Sequence, residues 1–382
     1  MKITGVELRT IRMPLRSPFE TSFGVESDRV AVLIRVVGTV QTHEHQPVEV
    51  QGWGECVAME QPLYSSEYAH AAADVLRRFL IPMLLAESAA GGEVTAELIG
   101  PLLRTIIGHR MAKAALEMAV LDAQLRGSGQ SLASYFGATR STVDSGVSVG
   151  IQPSIQALLD VVGNYLAEGY VRIKLKIKPG RDVAPVEAVR GRFGDLVPLQ
   201  VDGNAAYTLA DARVLRQLDQ YDLLLLEQPL PEDDIRQHAE LARLITTPIC
   251  LDESVISVRA AADAIAMRAC QVINIKAGRV GGYLNARRIH DLCQANGIPV
   301  WCGGMVETGL GRAANAALAA LPGFTLPGDI SASDRFYDLD ITEPFVMEDG
   351  RIEVPTKPGI GVVPIQEALD QFTVSTEWIQ LG

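Results

Sequence analysis

Lys176, Asp202, Glu227, Asp252 and Lys276 follow one another at steps of 26, 25, 25 and 24 residues. Each closes a short apolar run: VRIKLK, VPLQVD, LLLLE, PICLD and QVINIK. A strand, a helix and two loops take about that length in a barrel of alternating strands and helices, where roughly 250 residues supply eight units. The spacing therefore predicts five successive parallel strands with one functional group at each C-terminal tip, the face on which such barrels carry active sites. The expected strands are 144–150, 171–176, 198–202, 223–227, 248–252, 272–276, 298–302 and 324–328. Helical stretches such as SIQALLDVVGNYLAEG and LNARRIHDLCQANG lie between them, each closed by glycine. Eight such strands favour closure into a barrel over an open sheet. No GxGxxG follows a first strand, which argues against a dinucleotide-binding fold.

The N-terminal third reads differently. Residues 1–57 alternate polar and apolar and predict a three-stranded antiparallel meander, with THEHQP (42–47) as a hairpin loop. Residues 66–137 read as helices. After about residue 330 short strands return, and the tail is expected to rejoin the N-terminal region. The expected division is an α+β capping domain (1–137), a barrel (138–330) and a C-terminal segment (331–382) that returns to the cap.

A net charge of −12 argues against nucleic-acid and anionic-membrane partners, which would repel the chain. The N-terminal stretch lacks the apolar core of a signal peptide, and LLLL at 223–226 is far too short to span a bilayer. The five cysteines form no CxxC or CxxH pattern and read as buried, reduced thiols of a cytoplasmic protein.

Three carboxylates at successive strand tips can hold Mg²⁺ and leave positions for water and substrate oxygens; Mn²⁺ is an alternative. No histidine or cysteine occupies an equivalent tip, which favours a hard cation over zinc. A single acid in such a place more often caps the next helix; three at equal steps favour a metal. Lys174 and Lys176 share a strand face, and the same parity turns Asn274 inward with Lys276. A lysine beside a dication and a second amine is expected to have a pKa lowered towards neutrality, which makes it a usable base. Lys276 lies four strands on, so a substrate held between would present opposite faces to two amines. Such a site suits removal of a proton α to a carboxylate, with the enediolate stabilised by metal and lysines.

Weaker signals surround this core. SPFETSFG (17–24) could form a lid that brings Phe19 and Phe23 over the mouth, although aromatic packing within a loop explains it equally well. Met59 could face the same pocket. The loop WCGGMVETGLG (301–311) lacks the residues of a phosphate loop, and Gly303 and Gly304 are candidates for close backbone approach to a ligand. Asp329 follows the eighth strand with no assigned role. His43 and His45 read as solvated.

Nearly the whole chain resembles the enolase superfamily in its muconate-lactonizing subgroup, and within it the o-succinylbenzoate synthase and N-succinylamino acid racemase family. The resemblance rests on GWGEC, HRMAKAALEMAVLDA, KLKIKPG, QVDGNAAYTL, EQPL, CLDES, NIKAGRVGGY, WCGGMVETGLGRAAN and LPGDISASDR. It implies a modified (β/α)₇β barrel of the TIM type with an α+β capping domain, and Mg²⁺ on Asp202, Glu227 and Asp252. It implies Lys176 and Lys276 as the acid/base pair and Lys174 as an electrostatic helper that contacts the substrate carboxylate. Asn204 would support the ligand set, and Ser148 and the loop 303–307, which includes Met305, would line the pocket. Self-association is also implied. Strand seven, IPVWC, has no histidine of the mandelate-racemase kind, and Asp329-Ile330-Ser331 departs from the DxD of dipeptide epimerases. The family more often has alanine where this chain has Gly203, and the loop 38–50 is longer than usual. The expected activity is racemisation of N-acylamino acids, N-succinyl ones above all, together with dehydration to o-succinylbenzoate in menaquinone biosynthesis. The alternatives are the synthase alone, a cycloisomerase or dipeptide epimerase, and a barrel that binds metal or ligand without turnover.

Overall fold

The apolar runs that end in the five polar residues form the parallel sheet at the centre of the structure, a computed structural model that describes residues 1–20, 24–41 and 46–381. Phe23, His43 and His45 lie outside the described residues, as does the Phe19 side chain.

An antiparallel sheet comes first in the chain: β1 (Lys2–Glu20), β2 (Val25–Gln41) and β3 (Pro47–Cys56). Next come β4 (Thr142–Asp144) and the barrel strands β5 (Gly146–Val149), β6 (Arg172–Lys176), β7 (Leu199–Asp202), β8 (Leu226–Glu227), β9 (Ile249–Leu251), β10 (Val272–Ile275) and β11 (Val300–Cys302). The tail adds β12 (Met347–Glu348), β13 (Arg351–Glu353) and β14 (Thr373–Ile379). The order β11-β10-β9-β8-β7-β6-β5 runs without a swap, as consecutive right-handed strand–helix units require. These strands are almost wholly buried because helices cover one face and side chains fill the other.

The expected eighth strand, 324–328, makes no ladder. It closes the barrel through two isolated parallel bridges, Val300 with Phe324 and Ser145 with Gly328. Gly146 N donates to Gly328 O at 2.8 Å, and Asp329 N to Cys302 O at 2.9 Å. Pro327 has no N–H to offer, so a continuous ladder cannot form there. The expected strand 144–150 is also divided. Residues 142–144 pair antiparallel with β13, and the chain changes sheet at Ser145 before β5 enters the barrel.

The antiparallel sheet has four strands, in the order β14-β1-β2-β3, since the tail adds an edge strand to the predicted meander. The helix Arg110–Ser128 lies against β3, with Ala112, Ala115, Ala119 and Ala123 fully buried. A Cβ at Gly54 would stand 2.0 Å from Ala115 O, so the glycines of GWGEC are what let the helix approach so closely. Glu55 then ties the sheet to the barrel mouth by accepting hydrogen bonds from Thr308 N (3.0 Å), Thr308 Oγ1 (2.7 Å) and Gly311 N (3.0 Å). A carboxylate at a helix start is favourable, because the first N–H groups lack intrahelical partners. Among the described residues no helix is long and apolar enough to cross a membrane.

Candidate active site

The pairing register carries the five polar residues to one mouth. Lys176 lies beside Asp202, Asp202 beside Glu227, and Glu227 beside Cys250, two residues before Asp252. Lys176 Nζ donates to Asp202 Oδ2 at 2.6 Å and to Asn204 Oδ1 at 2.7 Å. Lys276 Nζ donates to Asp252 Oδ2 at 2.7 Å and to the Tyr64 hydroxyl at 3.2 Å. Lys174 Nζ donates to Asp329 Oδ2 at 2.6 Å and stands 3.2 Å from Glu227 Oε2. Asn274 Nδ2 donates to Glu227 Oε1 at 2.7 Å, as the strand parity requires. Asn204 Nδ2 donates to Glu253 Oε1 at 3.0 Å.

Backbone strain collects in the same place. Asn204, Ala205, Gln228 and Val306 all have positive φ, on the loops after β7, β8 and β11. For a β-branched residue such as Val306 this conformation is costly, about 1–3 kcal/mol. The Tyr337 hydroxyl donates to Val306 O at 2.7 Å and helps hold it there. Gly303 has no such latitude, since a Cβ there would stand 2.3 Å from Asn274 Oδ1 and 2.7 Å from Lys276 Cε. The close approach at Gly303 is thus to the Asn274 and Lys276 side chains.

Charge is distributed unevenly. Burial works against the Asp202 carboxylate, but Lys176 and Lys174 outweigh it and hold it below its usual range. Burial and then Asp202 push Glu227 up. The same two causes raise Glu253 to about 7. Burial also opposes ionisation of Asp329, yet Lys174 and Arg172 hold it well below the ordinary range. Burial works against the charge on Lys276, but Tyr64, Glu253, Glu227 and Asp202 outweigh that, and its pKa is raised. Facing carboxylates keep a proton on an amine; the expected fall needs positive charge beside it.

Among the described residues no three acidic, histidine or cysteine side chains already converge as a metal cage. Each acid is turned to a polar partner instead: Asp202 to Lys176, Glu227 to Asn274, and Asp252 to Lys276 and Arg279. The donor set nevertheless fits a hard divalent cation. All its atoms are oxygens, and Glu227 Oε2 and Glu253 Oε2 are buried without accepting a hydrogen bond.

The cleft above these groups encloses about 510 Å³, counting solvent at its mouth. Ser148, Lys174, Lys176, Lys276 and Gly304 line it, with Val306, Asp329, Ser331, Arg335 and Phe336. Met59 and Met305 do not line this cleft. Met59 packs against the core, with Arg29 Nη1 3.9 Å from its sulfur, and Met305 is buried. Sequence reasoning did not find Tyr64, Arg172, Arg279, Glu253, Trp301 or Arg335. Arg172 and Lys174 both stack on the buried Trp301 ring, at 5.2 and 4.7 Å, which makes that indole the floor beneath the charged cluster. The Tyr64 hydroxyl reaches Lys276 and Arg279, each at 3.2 Å. Only the polar residue following CLD, Glu253, had a readable signal, because it adjoins a predicted tip.

Comparison with known proteins agrees with this architecture. Residues 3–137 match the mandelate racemase / muconate lactonizing enzyme N-terminal domain, and residues 157–368 match the enolase C-terminal domain-like family. The chain therefore belongs to the mandelate racemase / muconate lactonizing enzyme family of the enolase superfamily. It is 62% identical over 379 residues to an N-succinylamino acid racemase of Amycolatopsis sp., an alignment that covers 99% of this chain and 100% of that one. It is 44% identical to an o-succinylbenzoate synthase of Geobacillus kaustophilus, over 98% of this chain and 96% of the relative. A crystal structure of an enolase-superfamily member from Listeria innocua Clip11262 superposes with a TM-score of 0.92 at 40% identity and covers 100% of both chains.

Proposed function

We propose that this protein is a divalent-metal-dependent N-succinylamino acid racemase that also dehydrates to o-succinylbenzoate. The observation that carries the proposal is the placement of Lys176 and Lys276 in one cleft, on strand tips four positions apart, each held by its own carboxylate. Asp202, Glu227 and Asp252 would hold the ion, Mg²⁺ by preference, which when bound supplies positive charge to the substrate carboxylate and to the enediolate.

The chain's own residues do the rest. One lysine, as the neutral amine, takes the α-proton from one face, and the other, as ammonium, returns a proton to the opposite face. Asn204 and Tyr64 fix the two nitrogens through the hydrogen bonds above, which keeps each aimed at the α-carbon. Lys174 has a different part. Burial opposes its charge, but Asp329, Glu227 and Asp202 raise its pKa, so it stays an ammonium and stabilises developing negative charge. In the dehydration, Lys176 removes the proton and assists departure of hydroxide, while Lys276 stabilises the anion. Ser148 and Gly304 remain proposed pocket residues, as do Phe19 and Phe23, with Asn204 and Asn274 supporting the acids.

A small-molecule carboxylate is the partner this reading requires. A cytoplasmic, menaquinone-related role and self-association belong to the same proposal; five buried, unbridged cysteines support the first. We also propose the division at 137 and 330, with the tail assigned to the cap.

The test is proton NMR in D₂O of N-succinyl-L-phenylalanine with protein and Mg²⁺. The α-proton signal should disappear, and chelation should stop the loss. Lys176→Ala and Lys276→Ala should each slow racemisation by about 10²–10⁴-fold while remaining folded. Unaltered rates in both variants would sink the two-lysine mechanism.

A further inference from the structure

Four cations line the cleft, and one differs from the rest. Lys174, Lys176 and Lys276 each touch at least one carboxylate. Among the described residues no carboxylate lies within ion-pair distance of Arg335. The acids nearest to it in sequence are engaged elsewhere: Asp338 pairs with Arg16 at 2.9 Å, and Asp334 stands 3.9 Å from the same guanidinium. Arg335 is nonetheless built in. Its guanidinium carbon lies 5.1 Å from the Tyr165 ring centroid and 4.8 Å from that of Phe336. Its Nη2 donates to Ser148 O at 3.2 Å, at the tip of β5. Its Nε is buried and donates to nothing. A guanidinium fixed by flanking rings and one carbonyl keeps donors in a rigid planar fork, which matches a carboxylate. A buried donor without an acceptor is a cost that a bound anion removes.

We propose that Arg335 is the specificity residue that binds the second, distal carboxylate of an N-succinyl substrate. The assignment rests on the activity proposed above. The α-carboxylate belongs to the acid-lined side of the cleft around Asp202 and Glu227. The distal one then lies on the β5 side, where Arg335 and Ser148 meet and Lys174 is already neutralised by Asp329. Substrates acylated by a neutral group leave the Arg335 fork empty and are bound more weakly.

The experiment is calorimetric titration of the Mg²⁺-loaded protein with three probes: N-succinyl-, N-succinamoyl- and N-acetyl-L-phenylalanine. Wild-type protein should favour the succinyl compound over both neutral ones by about 10- to 100-fold in Kd. Arg335→Met should collapse that ratio, and Arg335→Lys should restore part of it. The succinamoyl comparison is made on unaltered protein, so it holds even if Arg335→Met fails to fold. An equal Kd for the three probes in wild type, or a ratio that survives in Arg335→Met, overturns the assignment. If the ratio behaves as expected but no probe loses its α-proton in D₂O, the racemase reading fails and the Arg335 site stands.

Discussion

Asp329 and Glu227 are both buried acids at the same barrel mouth, yet their surroundings treat them in opposite ways. Asp329, on the seam between β11 and β5, receives Lys174, Arg172 and the Ser148 hydroxyl, and its carboxyl is held well below the ordinary range. Glu227, three strands away, receives one amide from Asn274 and faces Lys174 at 3.2 Å, but burial and then Asp202 outweigh the lysines, and its carboxyl is raised. One acid is saturated with positive charge and anchors two buried cations. The other has too little of it to offset its burial. On the proposed function, the difference separates an acid that holds the barrel mouth together from one that would hold the added cation.

Removing Asp329 should have the largest effect on stability. Asp329→Asn strands the buried Arg172 without a carboxylate and leaves Lys174 only Glu227 and Asp202, a break that typically costs about 3–5 kcal/mol. Urea denaturation at pH 7.5 measures it, and a loss below about 1 kcal/mol would contradict the anchoring role. In wild type, Asp329 is depressed relative to its unfolded value. Its contribution is therefore present above the unfolded pKa and is lost as pH falls below it towards the folded one.

A metal titration sharpens the contrast. At 100-fold excess over Kd, a divalent ion should raise the unfolding free energy by about 2.7 kcal/mol. Glu227→Gln should remove most of that gain, whereas Asp329→Asn, though destabilised, should keep it. Equal gains in both variants would place the ion elsewhere.

The smallest effect should be a stabilisation. Glu253 is raised to about 7 from an ordinary 4.5, so its ionisation is unfavourable in the folded state. The penalty is absent below pH about 4.5 and complete above about 7, because a raised acid loses stability as pH rises through that window. In chelated protein, Glu253→Gln keeps an oxygen for Asn204 and should recover part of that penalty of roughly 3 kcal/mol at pH 8, about 2 kcal/mol once the buried amide's own desolvation is deducted, a gain that vanishes near pH 4.5. Thermal melts across that range check it.

The barrel and its polar tips were legible because they repeat. A step of about 25 residues and a period of two within each strand place Lys174, Lys176, Asp202, Glu227, Asp252, Asn274 and Lys276 without knowledge of any contact. Asp329, Tyr64, Arg279 and Arg335 belong to no repeat. They reach the mouth from loops and turns, where neighbours in space are distant in sequence: Lys174 meets Asp329, and Lys276 meets Tyr64. The sheet change at Ser145 was missed because a three-residue pairing leaves no periodic trace, and the returning tail was not resolved into β14 because that strand is mostly exposed and shows no in–out alternation.

That edge strand has a consequence for how the chain is made. Val6 pairs with Ile379 and Thr10 with Ser375, so one side of β1 has no partner until the tail has been synthesised. At roughly 5–20 residues per second on the ribosome, β1 spends tens of seconds as an open edge while the barrel units emerge behind it. An unpaired edge is a template for pairing with another chain. Chains cut before β14 would keep that edge permanently, so damage at the tail should surface as clumping of new protein before any change in catalysis is seen.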